Sequence, residues 1–496
     1  MARTITLKGY VLVEPSTSAS AILETVRQQT RTFFGPLRND LVGLDDREVR
    51  SVDPATFVRE PVTVVDTDNP MAATRMMLRV RYTYTGRAVL DRSLSSRRSL
   101  STVALVGDWS GNGREILQNC VADAHDREFG TSNLWYTFDP DHCRSMIDRE
   151  VRAIDTATRK LTDRRTQVSA VEAARRFLPT TATLATIRSN VTRYPEYDRL
   201  LGATDPTKTD LHVYAFFGVI GERESDPRDD GYREMMFVLR NIFRAQPGAR
   251  FEAPSGTGSL TELRVGGTTI PGATERQVVE WALGASPPSG VSSTALRQAI
   301  LDVWKTRTIN LTVPMTVTSG GRSHPLNVRV HTYYGDEGSA WSASARARYV
   351  DAWRNADVFV YSGHSHLGSG PLDPGNFTMS DFPNRYQIFM VNSCVSYNYY
   401  NTGFHRLHPG GTRNLDMVIN GLEALSDDGH AVSYLITSLI SGQGLSWGQV
   451  LRRMVATVPN LGLYDYDPLR VVDGETDNTY TPSSRAITLT PATTSR

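Results

Sequence analysis

The chain has 496 residues, 40% hydrophobic and 22% charged, which is the ordinary globular range and leaves room for two or three domains. Lys and Arg total 54 against 53 Asp and Glu, so a formal charge of +1 points to neither nucleic acid nor an anionic membrane as partner. Three cysteines, Cys120, Cys143 and Cys394, are few and odd in number, which argues against a disulfide framework and for a reducing compartment. The opening MARTITLKGYVLVEPS lacks the apolar core of a secretory signal, and no run reaches the roughly 18 apolar residues of a membrane span, so a cytoplasmic location is expected.

From the start, TITLKGYVLVE reads as a strand and SASAILETVRQQTRTFF as a helix with Ile22, Val26 and Phe33/Phe34 on one face. MMLRVRYTYTGRAVL alternates as a half-buried strand, giving an N-terminal α+β unit over residues 1–97 that ends in the Ser/Arg-rich, exposed linker RSLSSRRSLS. An intermediate α/β and helical region, 98–204, opens on a strand, Gly-rich turn and helix start in STVALVGDWSGNGREIL. The stretch from 144 to 200 reads as helical with a charged solvent face.

From 205 to 470 the elements alternate. LHVYAFFGVI is a strand, YREMMFVLRNIF, RQVVEWAL and TALRQAILDVW are helices, INLTVPMTVTS and LNVRVHTYYG are strands across GGRSHP, and SARARYVDAWRNA is a helix. Further on, NLDMVINGLEAL is helix-like, HAVSYLITSLI strand-like, and Ser446 a helix N-cap. The Thr-, Ser- and Pro-rich residues 471–496 read as a loosely ordered tail. The fold class expected is α/β, a mostly parallel sheet flanked by helices, with N-terminal α+β units.

Two apolar runs in this region end in residues capable of covalent chemistry. ADVFVYSGHSH delivers His364 and His366, and YQIFMVNSCVSY delivers Cys394. Runs of this kind bounded by small residues are strands buried on both faces, whose last residues emerge at the carboxyl edge, where open α/β sheets bind ligands. The loop GSGPLDPGNFTMSDFPN between them is too rich in Gly and Pro for a long helix.

This order of strand-end motifs resembles the caspase-like cysteine peptidases of clan CD, which include caspases, gingipains, clostripain, legumain and separase. Gly363-His364 matches the Gly-His of the gingipain and separase versions, Ser393-Cys394 matches the small residue before the nucleophile, and Ser365 stands where the family normally has Gly. The likeness covers roughly residues 205 to 470. It implies a bacterial-type, cytoplasmic cysteine endopeptidase acting on protein or peptide substrates without a metal or cofactor. Cys394 would be the nucleophile, His364 the general acid, and the N–H groups of Ser365 and Cys394 the oxyanion donors. His366 with Gly368 offers a second register for the acid. A carboxylate to orient the imidazole would come from Asp336, Glu337 or Asp373, by position only. The N-terminal region is a candidate docking site for a regulatory partner, and the Arg-rich stretches near 92 to 98 and 158 to 165 are candidate self-processing sites.

Two other readings stand beside this one. A caspase-fold scaffold without activity would explain Ser365 as a lost oxyanion position. A metal-dependent phosphoesterase would use GHSH, with Gly107-Asp108 and Asp123-Ala124-His125 as its remaining pieces, but the order of those pieces is wrong for that class. Cys394 as a packed core thiol is the bland alternative to all three.

Overall fold

The computed structural model describes residues 2–492 apart from 70, 187–191, 222, 253–262, 271–272, 307–308, 336–342, 426–428 and 456–466. The chain forms two compact units, Met1–Ser189 and Asn190–Arg496.

The first unit is built on one sheet of β1 (Ala2–Val13), β2 (Val42–Leu44), β3 (Val58–Val65), β4 (Arg75–Leu90), β5 (Ser99–Leu105), β6 (Gln167–Ser169) and β7 (Phe177–Thr186). Their order is β5-β7-β1-β4-β3-β6, with β2 also on β4. Helix Ala19–Arg31 starts where the Ser18 side chain accepts from the Ala21 N–H, and it buries Ile22 and Val26 as its periodicity predicts. Two expectations are corrected here. The boundary expected at residue 97 falls inside this sheet, because β5 pairs with β7 and β7 with β1. The polar stretch before β5 is a surface turn between strands, and such turns have the same composition as linkers between domains. Residues 177–186, read as part of a helical region, form β7: Ala182 and Leu184 are buried at period two among β-branched threonines.

The second unit contains β8 (Asp210–Gly218), β9 (Arg250–Glu252), the hairpin β10 (Leu263–Val265) and β11 (Thr268–Ile270), β12 (Ile309–Ser319), β13 (Arg322–Gly335), β14 (Val358–Ser362), β15 (Gln387–Asn392), β16 (Leu415–Asn420), β17 (Arg470–Asp473) and β18 (Ile487–Pro491). Its main sheet runs β17-β16-β15-β14-β8-β13-β12-β18, with β9 also on β12. The five central strands, β16, β15, β14, β8 and β13, are mutually parallel, while β17, β12, β18 and β9 join antiparallel. The β12–β13 hairpin turns at Gly320 and Gly321, both with positive φ as a tight two-residue turn requires.

Helices cover both faces of the parallel block, which is why its strands are continuously apolar. Asp230–Ala245, Glu275–Ala282, Ser293–Thr306, His430–Leu439 and Trp447–Met454 bury one face over Val213, Ala215, Val358, Val360, Ile388 and Met390. On the other face, helix Ala343–Asn355 sets Tyr349 against Phe216 at 4.9 Å and Trp353 against Phe359 at 5.8 Å between ring centroids.

Three expectations fail in the second unit. Residues 415–420, read as helix, are β16, and 430–439, read as strand, are a helix. Both are short runs buried almost all round, and an apolar run without clear periodicity carries the same signal for either element. The part of the expected tail that is described, residues 471–492, is not loose, since β17 and β18 lie on the two edges of the sheet, while 493–496 lie outside the described residues. Ser446 does cap its helix, through a reciprocal capping box with Gln449.

Candidate functional site at the carboxyl rim of the parallel strands

β14 and β15 pair in parallel through Ser362 and Asn392, and the Gly363 N–H extends the ladder to the Asn392 carbonyl at 3.4 Å. His364 and Cys394 therefore each leave the sheet two residues beyond a matched pair, on strands that lie about 5 Å apart. Cys394 is partly exposed, so the core-thiol alternative does not describe it, and its Sγ donates to the Ala424 carbonyl at 3.7 Å. His364 is exposed, with the His366 ring 5.8 Å from its own.

Beneath these groups lies a buried polar network. Ser362 Oγ donates to Glu234 Oε1 at 2.7 Å and accepts from Asn392 Nδ2 at 3.1 Å. Asn392 Oδ1 accepts from Asn420 Nδ2 at 3.2 Å and Arg470 Nη2 at 2.9 Å, and Arg470 Nε also donates to Asn420 Oδ1 at 3.1 Å. The ends of β14, β15 and β16, the start of β17 and helix Asp230–Ala245 are thus tied together under the rim. Ser396 Oγ adds a further tie, donating to the Val391 carbonyl and accepting from the Asn420 N–H.

The two strand ends also hold uncommon backbone. Val395, directly after Cys394, has φ 53°, and His366 and Leu367 have φ 48° and 52°. Such conformations cost about 1–3 kcal/mol each in a non-glycine residue and concentrate where geometry serves a function. Two hydroxyls hold the histidine loop: Tyr361 donates to the His364 carbonyl at 2.9 Å and Tyr400 to the Ser365 carbonyl at 2.8 Å. Ser365 is only 6% exposed, and its N–H has no acceptor among the described residues. Gly370 makes room for the His366 ring, since a Cβ there would lie 2.7 Å from Cδ2.

The structure therefore sets His364, Ser365, His366, Gly363 and Cys394 at one rim. Asp373, offered as an orienting carboxylate, caps its own turn by accepting from the Gly375 N–H at 3.0 Å, while Asp336 and Glu337 lie outside the described residues. The phosphoesterase pieces serve local turns in the first unit, Asp108 accepting from the Gly111 N–H and Asp123 from the His125 N–H, both at 2.8 Å. No group of three or more His, Cys, Asp or Glu arranged to hold a metal occurs among the described residues.

Sequence reasoning passed over Glu234, Asn392, Asn420, Arg470, Tyr361 and Tyr400. Two of them carried a signal, since Glu234 sits in the buried stripe of an amphipathic helix and Asn392 closes an apolar strand, where an unpaired polar group is costly.

A second correction concerns the other cysteines. Cys120 and Cys143 form a disulfide joining the end of helix Arg114–Cys120 to the start of helix Arg144–Arg159. An odd count does not forbid one bond plus one remaining thiol, and proximity of buried sulfurs is a tertiary fact. No helix among the described residues is long and apolar enough to cross a membrane. No protein-family model matches the chain, and no curated protein matches it significantly.

Proposed function

We infer that the protein is a cysteine endopeptidase of caspase-like fold, of bacterial type, acting on protein or peptide substrates. The observation that carries the reading is the equal emergence of His364 and Cys394 from the paired strands β14 and β15, at the carboxyl edge of a parallel block. In the proposed reaction the Cys394 sulfur attacks the scissile carbonyl carbon and the C–N bond breaks to leave a thioester. His364 protonates the departing amine, and water then hydrolyses the thioester to free the acid and the thiol. Backbone N–H groups hold the oxyanion in both steps.

A regulatory role for the first unit accompanies this reading. A cavity of about 830 Å³ there, of mixed polar and apolar lining that includes Tyr10, Gln29, Trp109, Ile116, Glu172 and Arg175, is a place where a small effector could act. A cytoplasmic location is proposed only for a form with Cys120 and Cys143 reduced, because the bond between them belongs to an oxidising compartment.

The test is hydrolysis of a mixed peptide library by the wild type and by Cys394→Ala. Cleavage by the wild type, lost in the variant and on alkylation, is the expected result. Cleavage retained by Cys394→Ala refutes the nucleophile. A well-folded wild type that cuts nothing leaves the inactive scaffold, and turnover that is stopped by a chelator instead of an alkylator would favour the phosphoesterase.

A further inference from the structure

Building on the peptidase reading, we propose that Tyr361 and Tyr400 are positioning residues for the oxyanion hole, and that the hole is a backbone nest at Ser365–His366. Neither tyrosine need touch the substrate. Each would act through a peptide plane.

In a trans peptide the carbonyl oxygen and the following N–H point in opposite directions across one rigid plane. No peptide bond among the described residues is cis. Tyr361, which is 2% exposed, holds the His364 carbonyl from the sheet side and so turns the Ser365 N–H away from the sheet. Tyr400 holds the next carbonyl, that of Ser365, in the same manner and orients the His366 N–H. Ser365 is right-handed at φ −85°, ψ −16°, and His366 follows with φ 48°. A right-handed residue followed by a left-handed one makes successive N–H groups converge into an anion-binding concavity. The Ser365 N–H, without an acceptor among the described residues and set on a buried residue, is the donor such a concavity needs. Glycine is then not required at 365, because two hydroxyls supply the orientation that a permissive backbone would otherwise have to find.

The experiment compares Tyr361→Phe and Tyr400→Phe with wild type on a cleaved peptide, with Tyr232→Phe, another buried hydroxyl of the same unit, as control. Three quantities are read: kcat and KM, affinity for a peptide aldehyde that forms an oxyanion on Cys394, and the rate of Cys394 alkylation by iodoacetamide, which forms none. The expected result is a kcat lower by about 10- to 100-fold in Tyr361→Phe, with KM within about twofold and a parallel loss of aldehyde affinity. Alkylation should stay within about twofold of wild type, Tyr400→Phe should change in the same direction, and Tyr232→Phe should not change. Unaltered kcat in both tyrosine variants overturns the proposal and leaves the peptidase reading in place. A fall in kcat matched by an equal fall in alkylation also overturns it, since the hydroxyls would then support the thiol and not the hole. Absence of any wild-type hydrolysis removes both readings together.

Discussion

Ser362 and Asn392 are joined twice, once as the last matched pair of two parallel strands and again through their side chains, Asn392 Nδ2 donating to Ser362 Oγ at 3.1 Å. Backbone register and side-chain chemistry therefore fix the same point. Everything beyond it, His364 on one strand and Cys394 on the other, starts from a common rigid base.

That base should be costly to break. Replacing Asn392 by Ala leaves Ser362 without a donor and takes an acceptor from Asn420, both buried, and from the half-buried Arg470. We expect about 2–3 kcal/mol of destabilisation from the orphaned groups. Urea unfolding of the variant measures it, and a midpoint equal to wild type would show that the network is dispensable.

The disulfide gives a second expectation. Counted in denaturant, one thiol should react before reduction and three after it. Closing a loop over a sequence separation of 23 residues is worth about 3 kcal/mol in the chain-entropy account. Reductant should thus lower the melting transition of the first unit and leave that of the second in place. Three reactive thiols in the untreated protein would contradict the bond.

Asp416 sets a pH dependence. It is buried at the second position of β16, and although Tyr386, Trp447 and Asn478 all donate to its Oδ2, burial dominates and pushes its pKa up to about 7. The folded state then keeps a proton that the unfolded chain releases near pH 4. This contribution is fully present below about pH 4 and is lost as pH rises through about 7. His331, held down to about 4 by burial and by His212, works in the opposite sense, its contribution being lost as pH falls from about 6.5 through 4. Asp416→Asn should flatten the alkaline side of the stability curve only. Identical slopes for variant and wild type between pH 5 and 8 would rule out a raised Asp416.

Self-cleavage is the last expectation. The basic stretches at 92 to 98 and 158 to 165 are largely exposed in the first unit, the former as a turn before β5 and the latter as the end of a helix and the turn after it. If the proposed peptidase activity is directed to basic residues, mass spectrometry of long-incubated wild type should find fragments ending at these arginines, absent from Cys394→Ala. An intact wild type that nevertheless cleaves a basic peptide would exclude it.

The sequence made the rim visible because strands buried on both faces leave an unbroken apolar signature, and because His364 and Cys394 stand immediately after such runs. It left residues 415–420 and 430–439 ambiguous for the same reason, burial on all sides having erased the periodicity that separates a strand from a helix. The edge strands β17 and β18 were hidden by composition, since edge positions tolerate the Thr, Pro and Asp that also mark loops. The bond of Tyr400 to Ser365 and the Cys120–Cys143 disulfide join positions far apart in sequence, where no local pattern reaches them.

The placement of β17 and β18 carries a consequence for biosynthesis. These neighbours in sequence sit at opposite margins of one sheet, and the first of them delivers the guanidinium of Arg470 to Asn392. While residues 470–491 are still within the ribosome, the sheet has two unprotected margins and the asparagine pair beneath the rim lacks its cation. A nascent chain is therefore prone to association at both margins until this segment emerges, and because β17 and β18 come from one short stretch of sequence, the two margins are closed together.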